Sequence, residues 1–269
     1  MAAWTAITFF ILSKLMFLSI TKADINQVMG SLCSGSDSTT ASDRYKADLA
    51  SLMDSLSFNA PARGGFYTTE VSGRVYGLVQ CRPDLSDADC RSCIRNLTTV
   101  TNCITSKNST IWLTWCFLRY SNSSFFGMWD QSAVAITNYS DYDDQDVVAR
   151  GLDFMSQLAV TAPTQRLMFQ VSVLDVGEYG KRYGMAQCTR DISSSDCGSC
   201  LNYQLTNFRT TVGNKRNWAI YGSSCSFQYH DYQFYFNFSL TSNEGSTGLS
   251  PSQVVVFLIS TMILSKFVL

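Results

Sequence analysis

The chain has 269 residues, 46% hydrophobic and 15% charged, with a formal net charge of −1. That is too apolar for a disordered chain, long enough for one or two domains, and lacks the basic footprint of a nucleic-acid binder. Ten cysteines against one histidine point to disulfides and an oxidising compartment, because cytosolic thiols stay reduced.

Residues 6–20 (AITFFILSKLMFLSI) are apolar apart from Lys14, and Ala23 is small enough for a cleavage site. Residues 1–23 therefore read as a secretory signal peptide, with an N-terminal membrane anchor as the alternative. Mature sequence then begins near Asp24 and reaches Cys33 early. Residues 43–57 read as a helix, since Leu49, Leu52, Met53 and Leu56 share one stripe. Pro61 and Gly64-Gly65 end it, and residues 66–70 and 75–80 read as strands about the turn at Ser72-Gly73.

The stretch CRPDLSDADCRSC, residues 81–93, then opens a second helix. Ser86 is a good N-cap with Asp89 three residues on, and Cys93, Leu97, Val100 and Ile104 share a face. Residues 111–120 are aromatic and β-branched and read as a strand carrying Cys116. Residues 125–129 and 133–137 are further strand candidates, assigned to the same repeat.

The cysteine spacing C-x8-C-x2-C recurs at Cys188, Cys197 and Cys200, offset by 107 residues from Cys81, Cys90 and Cys93. The flanks match too: Tyr76-Gly77 and Tyr183-Gly184 stand at the same place in each copy. A repeat this long is a duplicated domain. In the second copy residues 144–159 supply the first helix, 168–173 and 183–187 two strands, and 197–211 the second helix behind a Ser193/Asp196 cap. Residues 218–221, 225–229 and 232–240 read as later strands. The expected fold is α+β: two tandem domains, residues 24–137 and 138–241, each with two helices on an antiparallel sheet and stapled by disulfides.

Repeat one has six cysteines (Cys33, Cys81, Cys90, Cys93, Cys103, Cys116) and repeat two has four (Cys188, Cys197, Cys200, Cys225). The offset places Ser140 and Thr210 where Cys33 and Cys103 would recur. Joint loss argues that those two form one bridge, since a single loss would leave a reactive thiol. Four cysteines per repeat then remain, with three connectivities open.

Two such units, each with an early helix and a late cysteine in an aromatic strand, resemble the plant salt-stress/antifungal domain. Ginkbilobin is its single-domain form. The two-domain forms are cysteine-rich repeat secretory proteins, including plasmodesmata-located proteins. The resemblance covers residues 28–240 and implies Cys33–Cys103, Cys81–Cys90, Cys93–Cys116, Cys188–Cys197 and Cys200–Cys225. By chain entropy the first is worth about 4 kcal/mol, so repeat two lacks a sizeable stabiliser and is expected to lean on repeat one. Ginkbilobin-like domains bind mannose through an Asn after the first cysteine, an Arg before the last and an acid beyond it. Here Ser34 follows Cys33, no Arg lies between Cys103 and Cys116, and Ser121 and His230 stand five residues after Cys116 and Cys225. Arg209 and Arg216 precede Cys225 without the other partners. The triad does not carry over.

Residues 254–269 are apolar but too short to span a bilayer and are broken by Lys266. Behind the polar stretch 241–253, they read as a glycosylphosphatidylinositol (GPI) signal, with Gly245 or Ser246 as the favoured attachment residue and Asn243 as a further candidate; a short membrane anchor is the alternative. Residues 242–269 form that spacer and signal. Asn96, Asn108, Asn122, Asn138 and Asn237 head sequons, so a glycoprotein is expected.

No catalytic residue, metal site or cofactor is expected. Zinc or redox roles for C-x2-C yield to disulfides in an exported chain. His230 has no evident nucleophile, and residues 141–146 (DYDDQD) read as a solvated helix start. The aromatics Tyr229, Tyr232, Phe234, Tyr235 and Phe236 are core or contact surface. The functional expectation is a non-enzymatic plant cell-surface module on the outer leaflet, at plasmodesmata or in defence. Its partner would be an extracellular protein or a cell-wall glycan, with homo- or hetero-oligomers through exposed sheet faces. The alternative is a soluble antifungal or carbohydrate-binding protein of the apoplast.

Overall fold

The computed structural model describes residues 26–33, 42–99, 103 and 106–236. Both apolar ends, the lipid-attachment candidates and Asn237 lie outside the described residues. Among those described, no helix is long and apolar enough to cross a membrane.

The first domain has strands β1 (Val28–Cys33), β2 (Phe66–Val71), β3 (Val75–Cys81), β4 (Ser109–Leu113) and β5 (Cys116–Ser121). They form one antiparallel sheet in the order β1-β4-β5-β3-β2. Helices α1 (Asp43–Asn59) and α2 (Asp87–Thr99) cover one face. Leu49, Leu52 and Leu56 on α1 and Cys93, Ile94 and Leu97 on α2 are buried against Val79, Ile111 and Leu118 of the sheet. Ser42 caps α1, and Ser86 caps α2 by accepting from Asp89 N–H at 3.1 Å while donating to its carboxylate at 2.6 Å.

The second domain repeats this plan. Strands β6 (Ala133–Thr137), β7 (Phe169–Asp175), β8 (Lys181–Cys188), β9 (Trp218–Gly222) and β10 (Cys225–His230) run in the order β6-β9-β10-β8-β7. Helices α3 (Gln145–Thr161) and α4 (Ser194–Asn207) lie on one face, and a single turn, α5 (Arg209–Val212), follows. Ser193 and Asp196 repeat the cap. In the acidic run, Asp144 caps α3 by accepting from the N–H groups of Asp146 and Val147.

All ten cysteines are bridged, as Cys33–Cys103, Cys81–Cys90, Cys93–Cys116, Cys188–Cys197 and Cys200–Cys225.

Three expectations need correction. Residues 133–137 do not complete the first sheet: as β6 they pair with β9, so the boundary between sheets falls before Ala133. β6 is the counterpart of β1, which the sequence did not reveal. Thr137 stands opposite Trp218 as Cys33 stands opposite Ser109, so Thr137 rather than Ser140 takes the place of the lost cysteine. Of the expected strand 232–240, residues 237–240 lie outside the described residues; residues 125–129 and 231–236 form no strand. The latter leave β10 and cross to the first domain.

The two sheets pack through the faces that the helices leave open, giving helix, sheet, sheet and helix layers. Trp112 and Tyr221 meet at 6.2 Å between ring centres, with Ala219, Phe117 and Val134 around them. The contacts are two-fold in character: Gln80 donates to the carbonyl of Cys188 at 2.9 Å, and Gln187 donates to that of Cys81 at 3.5 Å. Trp112 Nε1 donates to the Gly222 carbonyl at 3.2 Å.

Candidate functional site

Open clefts flank this seam at symmetry-related places. The first, of about 450 Å³, is walled by β1, β4 and β5 of the first domain and by Asp130, Ser132 and Ser223. Strand alternation sends Arg119 of β5 to this side while Leu118 and Tyr120 enter the core. Its guanidinium meets the Asp130 carboxylate at 2.9 Å and lies 4.2 Å from the Phe125 ring centre. Burial lowers the Arg119 pKa, and the charges of Asp130 and Asp191 oppose that. Asp130 is itself held, since its carboxylate accepts from Ser132 N–H at 2.6 Å and its own N–H donates to Ser224 Oγ at 2.9 Å. Thr110 and Ser223 hydroxyls meet across the seam at 3.1 Å. Hydroxyls beside a fixed ion pair can bind a polar ligand, and no nucleophile–base pair is present among them.

The second cleft, of about 320 Å³, is walled by β6, β9 and β10 with Gln27 and Thr114 of the first domain. Strand register makes Gln228 the counterpart of Arg119, and His230 that of Ser121. This cleft carries no carboxylate or guanidinium on its walls. His230 is half-buried, its ring 5.0 Å from Tyr232 and 4.7 Å from Phe234. Burial pushes its pKa down to about 4, opposed by Asp231. It stays neutral near pH 7, and every cysteine is bridged, so it has no thiol to activate.

The other candidates lie elsewhere. Asn96 is exposed on α2, and Asn122 is exposed in the turn after β5. Asn108 borders the first cleft and Asn138 the second. Among the aromatics, Tyr229 and Phe234 are buried and Tyr232 is half exposed. The sequence reading missed Arg119 and Asp130. It sought an arginine before Cys116, whereas the structure supplies one three residues after it, joined to an acid from the inter-repeat segment.

A pair of disulfide-stapled α+β domains with polar seam clefts is the class that fold and site define. The family model described as salt stress response/antifungal matches residues 32–123 and 135–232, and the chain belongs to that family. It is 30% identical over 226 residues to an antimicrobial ginkbilobin-2-like protein of Castanea crenata, covering 82% of this chain and 94% of that protein. It is 33% identical over 220 residues to cysteine-rich repeat secretory protein 55 of Arabidopsis thaliana, covering 76% and 82%. Among solved structures, the tandem DUF26 ectodomain of the Arabidopsis thaliana cysteine-rich receptor-like protein PDLP8 matches with TM-score 0.63 at 22% identity. That match covers 77% of this chain and 98% of that one. The corresponding ectodomain of PDLP5 gives 0.61 at 23%, covering 77% and 100%.

Proposed function

We propose that this protein is a non-enzymatic extracellular recognition module of the plant cell surface. It is held on the outer leaflet by a lipid at Gly245 or Ser246 and binds a protein or a cell-wall glycan, at plasmodesmata or in defence signalling. The observation that carries the recognition step is the first cleft, where Arg119 and Asp130 are fixed beside hydroxyls at an open seam.

A second reading is favoured by the antimicrobial protein that this chain matches along 94% of its length. In that reading the protein is a soluble, secreted antifungal factor. Phosphatidylinositol-specific phospholipase on plant membranes separates the two: release supports the anchored module, while recovery from wall fluid without lipid supports the soluble one. Binding is read on an array of plant cell-wall oligosaccharides. Arg119→Lys, with an unchanged near-ultraviolet spectrum, is expected to lose the captured sugar; unaltered capture would place recognition elsewhere.

A further inference from the structure

The second cleft has Asn138 in its wall, and Asn138-Tyr139-Ser140 is a sequon. Its side chain is already aimed. Asn138 Oδ1 accepts from Asn217 N–H at 3.3 Å, while the Asn138 N–H donates to the Asn217 carbonyl at 3.1 Å. The backbone bond sets the strand position of Asn138, and the single bond to Oδ1 holds its carboxamide by the oxygen. It leaves Nδ2, the atom a glycan takes, without a protein partner among the described residues. Tyr139 is fully exposed and Ser140 is exposed, so the sequon is open to solvent.

The walls suit a neutral sugar. Ile136 and Tyr232 are 37% and 52% exposed and offer apolar faces; Gln27, Asn217 and Gln228 offer amides that both donate and accept. The counterpart cleft keeps an ion pair and its arginine, where this one has Gln228.

We propose that Asn138 carries an N-linked glycan whose first N-acetylglucosamine lies in this cleft against Ile136 and Tyr232. Attachment replaces one Nδ2 hydrogen by C1 of the sugar. The sugar–phosphate bond of a lipid-diphosphate oligosaccharide donor breaks, and the displaced proton leaves with the diphosphate. The chain thus fills one of its symmetry-related clefts itself and leaves the Arg119 cleft to an outside ligand. The inference rests on the reading above only for passage through the secretory pathway.

The test uses full-length protein from plant cells with glycan processing stopped at the high-mannose stage. Glycopeptide mass spectrometry is expected to show Asn138 occupied. An endoglycosidase that cuts between the first two N-acetylglucosamines is expected to trim Asn138 roughly tenfold more slowly on native protein than on the reduced, unfolded chain, about the rate equivalent of one aromatic contact. Tyr232→Ala should abolish that difference. Asn138 unmodified while another sequon is occupied would overturn the proposal and leave export standing. Equal trimming rates, or no effect of Tyr232→Ala, would overturn the placement in the cleft. No glycan at any sequon would overturn the proposal and the export reading together.

Discussion

Gly77 and Gly184 occupy the same place in β3 and β8, and both let a long helix press directly on its sheet. A Cβ at Gly77 would stand 2.5 Å from Leu52 Cδ2 and 3.0 Å from Leu56 Cδ1 of α1. At Gly184 it would meet Phe154 Cε1 at 2.5 Å and Met155 Sδ at 2.8 Å. The repeated Tyr-Gly pair was visible in the sequence, but its cause was not, because the partner side chains lie on a helix far away in the chain. Gly77→Ala or Gly184→Ala is expected to lower stability by about 1–3 kcal/mol through overpacking, read as a shifted urea midpoint; an unchanged midpoint would show that the helix yields without cost. His230 gives a pH signature. It titrates near 4 when folded and near 6.5 when unfolded, so the unfolded chain binds the extra proton as pH falls. Stability should therefore decline from about pH 6.5 and level off below about pH 4, by roughly 3 kcal/mol from this group. The neighbouring residue Asp231 pairs with Arg216 at 3.5 Å. His230→Gln should flatten the decline in a pH series of melting temperatures. A series as steep as that of the parent would place the dependence on the carboxylates instead.

At the scale of elements, the domains solve one problem in two ways. In the first, Cys33–Cys103 ties the end of edge strand β1 to the connection after α2. In the second, the backbone ladder runs on past β6: Asn138 N–H to Asn217 O, Arg216 N–H to Ser140 O and Tyr142 N–H to Asn214 O, at 2.8–3.1 Å. Lys215 meets Asp141 at 2.6 Å within that extension, and Val212 is fully buried in α5. The double variant Cys33→Ala/Cys103→Ala is expected to lose about 4 kcal/mol, the loop entropy of its 70-residue separation. Equilibrium denaturation under non-reducing conditions reads it, and an unchanged midpoint would show that β1 is held by its ladder alone. The helices, caps and the C-x8-C-x2-C repeat were legible because period, cap chemistry and cysteine spacing are local, whereas spacing left three pairings of the remaining cysteines open in each repeat and only the family resemblance chose among them. The edge strands β1 and β6 were not. VMGSLC has a glycine and no alternation, and AVAIT reads as strand without saying which sheet it joins.

In the whole molecule, the duplicated domains are joined by buried polar contacts as well as by apolar area. Arg82 and Asp84 form an ion pair at 2.6 Å with side chains 3% and 0% exposed. That pair seizes the segment leaving β10, since Arg82 donates to the Phe234 carbonyl at 3.2 Å and Asp84 accepts from the Phe236 N–H at 2.8 Å. A buried pair is strongly costly to break from one side, so the second domain's exit segment is locked to the first domain's cysteine motif. The sequence showed a duplication and suggested that the second copy leans on the first. It could not show face-to-face sheets, because Gln80, Trp112 and Gln187 look alike on a solvent face and on a mating one. The stretch 81–93 is thus a structural clamp, its cysteines bridged at Cys81–Cys90 and Cys93–Cys116. The account joins export, five bridges and a lipid-bearing terminus in one mature species, so intact mass spectrometry of the plant-made protein, unreduced and deglycosylated, tests it most directly. The predicted species begins near Asp24, ends at Gly245 or Ser246 with a lipid remnant, and has all ten cysteines bridged. A species that retains residues 254–269, or that carries a free thiol at Cys33 or Cys103, would contradict it.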